Sequence, residues 1–246
     1  MASDPSPPAS PDRFERLDAL RGLAMVWMAA FHFCFDLNYF GVIRQNFYTD
    51  PVWTLQRTCI VTLFLSCVGL GQAVARAQGQ AEGRFWRRWA QVAGCALLVS
   101  AGSALMFPRS WISFGVLHGI AAMLLLARFG APAGPWLWPA GALALALPRL
   151  WQHPAFDTRW TNWTGLVTHK PITEDWVPVL PWLGVVLWAM AAGAWLLAHR
   201  RHWLTGPLPA ALRPLAGLGR WSLSFYMLHQ PVLIGALWLA LAVLRP

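Results

Sequence analysis

The chain has 246 residues, 57% of them hydrophobic and only 12% charged, where an ordinary soluble domain carries about 25% charged residues. That balance excludes a water-soluble globular domain and points to a polytopic membrane protein. The net charge of +9 does not argue for nucleic acid, because the basic residues gather in short loops between apolar runs, where they act as topology signals.

Residues 1–12, MASDPSPPASPD, are rich in Pro and Ser without an apolar core, and read as a disordered tail. Residues 13–246 read as a single transmembrane domain. Seven apolar runs of roughly membrane-spanning length follow: Leu17–Asn38, Val52–Ala75, Trp89–Phe107, Ile112–Phe129, Pro135–Leu150, Pro178–Ala198 and Trp221–Leu244. The fold class is therefore all-α, a polytopic helical bundle of about seven transmembrane helices. The first run is too long and too acidic for a cleavable signal, and no internal repeat suggests an inverted-repeat transporter. The arginine excess, strongest in EGRFWRRW, puts the N-terminus inside. The longest connection, 151–177, then lies outside. It holds Trp, His, Asp and Arg together, as functional loops of this length often do, although Trp also favours the headgroup interface. Cys34, Cys59, Cys67 and Cys95 sit in apolar runs without a CxxC pair. They read as packing residues, and no metal site is expected.

The first run carries unusual chemistry. RLDALRGLAMVWMAAFHFCFD holds Asp18, Arg21, His32 and Asp36, though one charge at the bilayer centre costs roughly 2.5–3.5 kcal/mol. Arg21 and His32 are eleven residues apart, which returns them to within about 20° on a helix, about 16 Å apart along its axis. A fixed cation near the cytoplasm and a titratable base deep in the bilayer suit an elongated ligand with phosphates at one end and a thioester at the other, such as an acyl-coenzyme A. Asp36, one turn past His32, is placed to orient the imidazole. Arg21 can instead pair with Asp18, and a lone intramembrane His can serve as an interhelical hydrogen bond.

Later runs add polar groups. His118 in FGVLHGI falls at nearly the depth of His32, so the two can face one cavity. Arg57 is expected to pair with Asp36 as a structural ion pair. Glu174 and Asp175 stand at the N-terminal dipole of the sixth run, or contact an acceptor at the outer mouth. In SLSFYMLHQPVL, the polar residues Ser222, Ser224, Tyr226, His229 and Gln230 can line a channel, with Ser222, Tyr226 and His229 as coenzyme contacts. Trp160 and Trp163 in the outer loop are candidate acceptor contacts.

Together, RLDALRGLAMVWMAAFHFCFDL, FGVLHGIAAM, DWVPVLPWLG and LGRWSLSFYMLHQPVL resemble the bacterial members of the heparan-α-glucosaminide N-acetyltransferase catalytic-domain family. The Arg-ten-residues-His spacing is also similar to that of the acyltransferase 3 family. The resemblance implies acetyl transfer from cytoplasmic acetyl-coenzyme A to an outer-side amine or hydroxyl of a sugar-like or envelope acceptor. It makes His32 the catalytic histidine and Arg21 the motif arginine, and it implies the bacterial inner membrane. Two other functions stay open: a transporter or flippase using the polar stripe, and a haem carrier ligated by two of His32, His118 and His229. The expected partners are the lipid bilayer and a small-molecule or glycan acceptor, with self-association left open.

Overall fold

The computed structural model describes residues 14–131 and 134–244; the tail expected at residues 1–12 lies outside the described residues. In lipid every backbone polar group must be paired within the protein, and each apolar run meets that demand as a helix. The helices are α1 (Glu15–Tyr39), α2 (Pro51–Ala77), α3 (Glu82–Met106), α4 (Val116–Leu125), α5 (Leu137–Leu150), α6 (Val179–His199), α7 (His202–Thr205), α8 (Arg213–Arg220) and α9 (Ser222–Leu244). No strand occurs among the described residues.

All seven expected runs are helical. Five of them, α1, α2, α3, α6 and α9, are long and apolar enough to cross a membrane. The other two fall short of the expected length. α4 continues through a π-helical turn at Leu126–Gly130, and α5 has 14 residues, about 21 Å of helix against a hydrocarbon core of about 30 Å. α3 begins seven residues before the expected Trp89 because FWRRW is good helix sequence that a hydropathy window discards. α2 starts sharply: Asp50 Oδ1 accepts the Val52 amide at 2.8 Å, and Pro51 occupies the first turn.

Small residues set the helix crossings. A Cβ on Gly69 of α2 would lie 2.3 Å from the Val186 carbonyl oxygen of α6, and one on Gly184 of α6 would lie 2.6 Å from the Gly141 carbonyl of α5. These close approaches surround a core led by Leu65, Met123, Val186 and Met190. α8, unforeseen because it is short and polar, crosses α1 just as closely. A Cβ on Gly22 would sit 1.9 Å from the Leu215 carbonyl oxygen, and one on Gly219 would sit 1.8 Å from that of Asp18. Backbone contact of this kind is how membrane helices pack tightly without a hydrophobic drive. α8 thereby fixes where α9 begins.

α1 has two distinct faces. Leu23, Val26 and Phe33 are exposed, whereas Asp18, Met25, Met28 and Asp36 are buried. The helix thus turns its apolar side outward and its ionisable stripe toward α2, α8 and α9.

Candidate functional site

The inner part of the stripe is an arginine cluster. Arg21 Nη1 donates to Asp18 Oδ1 at 2.9 Å, so the intrahelical pair forms. Its other terminal nitrogen points at α2, 3.2 Å from where a Gly71 Cβ would stand. Arg88 of α3 is near enough to Arg21 for their charges to interact. Gly71 also lines a cleft of about 400 Å³, together with Val74, Gln78, Gln80 and Arg84. The cleft's rim is tied together by two arginines. Arg76 donates to the Ala127 carbonyl in the π-turn at 2.5 Å, and Arg128 donates to the Gln80 carbonyl at 3.1 Å. Between Arg21 and His32 the stripe is filled by Met25 and Met28, each 4% exposed. An arm reaching from Arg21 to His32 along this face must pass these thioether side chains, the most adaptable of apolar groups.

Deeper in the bundle, α1 and α9 are joined by two polar rungs. In the first, His32 Nδ1 and His229 Nε2 are 2.9 Å apart. The protons on this pair follow from its surroundings. His229 Nδ1 lies 2.7 Å from the Tyr226 carbonyl, which can only accept, so Nδ1 carries the hydrogen. In the neutral ring Nε2 is then a bare acceptor. His32 must therefore donate from Nδ1, which leaves its Nε2 with a free lone pair and no hydrogen-bond partner among the described residues. His229 is 7% exposed, while His32 keeps part of its surface open. In the second rung, Gln230 Nε2 donates to Asp36 Oδ1 at 2.7 Å.

This arrangement departs from the expected one at several residues. His32 is oriented by His229, not Asp36, which makes no hydrogen bond to it among the described residues. Asp36 takes Gln230, not Arg57; Arg57 forms no ion pair among the described residues and lies instead within electrostatic range of Lys170 and Asp175. His118 is not brought to His32. Its Nδ1 accepts the Gly115 amide at 3.2 Å, so Nε2 carries the proton and donates to Ser100 Oγ at 3.1 Å, which in turn donates to the Ile112 carbonyl at 2.6 Å. Equal depth did not mean a shared face, and both ring nitrogens are spent, one on the start of α4 and the other on Ser100 of α3.

At the end of the bundle away from Arg21, Asp175 caps α4 rather than α6, since its Oδ2 accepts the Val116 amide at 2.6 Å. A Cβ at Gly115 would strike that oxygen. Burial pushes the Asp175 carboxyl above its ordinary value, and the Val116 hydrogen bond opposes the rise. Glu174 accepts from Ser110 at 2.5 Å. The long outer loop is a compact knob. Asp157 accepts from the Thr168 amide and hydroxyl at 2.7 and 2.5 Å, and Trp163 leans on Phe114 at 6.2 Å between ring centroids. Trp160 is 83% exposed and stands away from the helices. On α9, Ser222 is buried, Tyr226 packs between two apolar clusters and Ser224 is exposed. These residues do not form one continuous polar face. Gln230, expected to line a channel with the other polar residues of α9, instead reaches Asp36, a pairing that nothing local in the sequence tells.

A bundle with five membrane-length apolar helices and ionisable side chains turned inward is an integral membrane protein. Its sequence matches, over residues 13–231, the family described as heparan-alpha-glucosaminide N-acetyltransferase, catalytic. The chain belongs to that family of transmembrane acetyltransferases. Neither a curated protein nor a solved structure matches it.

Proposed function

We propose that the chain transfers acetyl groups from cytoplasmic acetyl-coenzyme A, across a bacterial inner membrane, to an amine or hydroxyl of a sugar-like or envelope acceptor arriving from the outer side. The observation that carries this reading is the His32–His229 pair, which holds a bare imidazole nitrogen deep in the bundle, on the same helix that brings Arg21 beside the Gly71 cleft. Arg21, Arg84 and Arg88 suit the coenzyme phosphates, since arginine pairs with phosphate oxygens in fixed geometry. The cleft beside Gly71 gives the nucleotide end room, and Met25 and Met28 yield to the pantetheine arm.

In the transfer, His32 Nε2 takes the proton from the acceptor N–H or O–H. The acceptor lone pair forms the bond to the thioester carbonyl carbon, the carbon–sulfur bond breaks, and the thiolate recovers the proton from His32. His229 stabilises the transient imidazolium by accepting from Nδ1, the role a carboxylate fills in a serine triad. The test is turnover of acetyl-coenzyme A by purified protein with an added amine. Wild type should release free coenzyme A, and His32→Ala should lose roughly 10²–10⁴-fold of that rate. Unchanged turnover in a folded His32→Ala sample removes His32 from the chemistry.

A further inference from the structure

The outer rung between α1 and α9 is chemically unfinished. Asp36 is 3% exposed, and its Oδ1 is satisfied by Gln230 Nε2 at 2.7 Å. Among the described residues its Oδ2 has no partner, and neither does Gln230 Oε1; both atoms are buried. Turning the amide over does not help, because Oε1 would then face a carboxylate oxygen. With Asp36 ionised, two acceptor oxygens therefore share one buried rung with no donor for either among the described residues. Leaving such groups unpaired is costly, and more so for a charged one. The rung is one helical turn, about 6 Å, from His32, whose own Nε2 lone pair is also unused, and Gln230 directly follows His229 in the chain.

We propose that the Asp36–Gln230 rung positions the acceptor and selects a primary amine, which arrives as its ammonium. This inference rests on the acetyltransferase reading above and deepens it. An ammonium brings three hydrogens and no lone pair, so it can donate to Asp36 Oδ2 and Gln230 Oε1 together. A lone hydroxyl brings one hydrogen and two lone pairs, so one of the two oxygens would still face a lone pair. Either donor makes a charge-assisted bond to the carboxylate, but only the ammonium adds an ion pair to it. The ammonium gives one proton to water before reacting, and the neutral amine then follows the transfer already balanced.

The experiment uses the full chain in lipid nanodiscs and calorimetric titration with two shape-matched probes, cyclohexylamine and cyclohexanol, after subtracting partition into empty discs. Wild type should bind the amine at least about tenfold more tightly than the alcohol. Asp36→Asn and Gln230→Met should each bring that ratio close to one, while the helical circular dichroism is kept. If Asp36→Asn does not fold, Gln230→Met decides. Equal binding of the two probes by wild type, no amine binding, or an unchanged ratio in a folded variant overturns the assignment. Acetyl-coenzyme A turnover by the same wild-type sample separates the two readings. Turnover lost with the amine preference intact sinks the acetyltransferase, and preference lost with turnover intact sinks the seat alone.

Discussion

In the proposed transfer, His32 can serve as the base because of where His229 puts its proton. The Tyr226 carbonyl forces the hydrogen of His229 onto Nδ1, His229 forces that of His32 onto Nδ1, and the His32 Nε2 is left bare. Removing the middle of this relay should cost nearly as much as removing its end. His229→Ala is expected to lower acetyl-coenzyme A turnover roughly 10²-fold or more, with KM for the coenzyme little changed, as steady-state kinetics would show. Loss of coenzyme affinity with full turnover would instead make His229 a coenzyme contact. Asp175 is a contrasting case, a carboxylate with a structural task. Asparagine keeps an oxygen for the Val116 amide and has no charge to bury, so Asp175→Asn should hold or raise the melting temperature. Asp175→Ala should cost about 1 kcal/mol as a lost cap. Because burial raises the Asp175 carboxyl, its contribution to stability is full below the ordinary value of 3.8 and declines as pH rises through the raised value. Asp175→Asn should remove that slope from melting curves taken across mildly acidic pH.

The crossing of α1 and α8 decides whether the histidine rung can form, since α9 follows directly from α8. Backbones that touch at Gly22 and Gly219 leave no room for a methyl group. Gly22→Ala and Gly219→Ala should each push α8 off α1 at a cost of about 1–3 kcal/mol, seen as a lower melting temperature and a parallel loss of turnover. Full activity in both variants would show that the rung does not depend on this crossing. Met28 tests the path between the arginines and His32. A rigid ring in its place cannot fold aside as a thioether does, so Met28→Phe should raise KM for acetyl-coenzyme A more than it lowers kcat. Much of this layer was readable in the sequence. Seven apolar runs gave seven helices, because hydropathy and length are what lipid selects for. α8 escaped because its role depends on two glycines, whose meaning appears only when a partner backbone is known.

Across the bundle, the sequence located the ionisable stripe of α1 but not its partners. Helical periodicity puts Arg21, His32 and Asp36 on one face, and that face is buried, as the cost of charge in lipid demands. Periodicity within one helix says nothing of which neighbour lies opposite. His118 was matched to His32 by depth alone, and Arg57 to Asp36 by proximity of helix ends; the true partners, His229 and Gln230, lie almost two hundred residues away in the chain. The outcome is a molecule with arginines and a cleft at one end, a histidine pair within and a docked loop at the other, an arrangement suited to taking the two substrates from opposite sides. The most direct measurement is sided transfer in sealed proteoliposomes of one orientation, with acetyl-coenzyme A confined to the arginine-rich side and a membrane-impermeant primary amine to the other. Acetylated amine should accumulate on the far side with wild type and not with His32→Ala. Acetylation only when both substrates share one side, or equal product from the variant, would contradict the account.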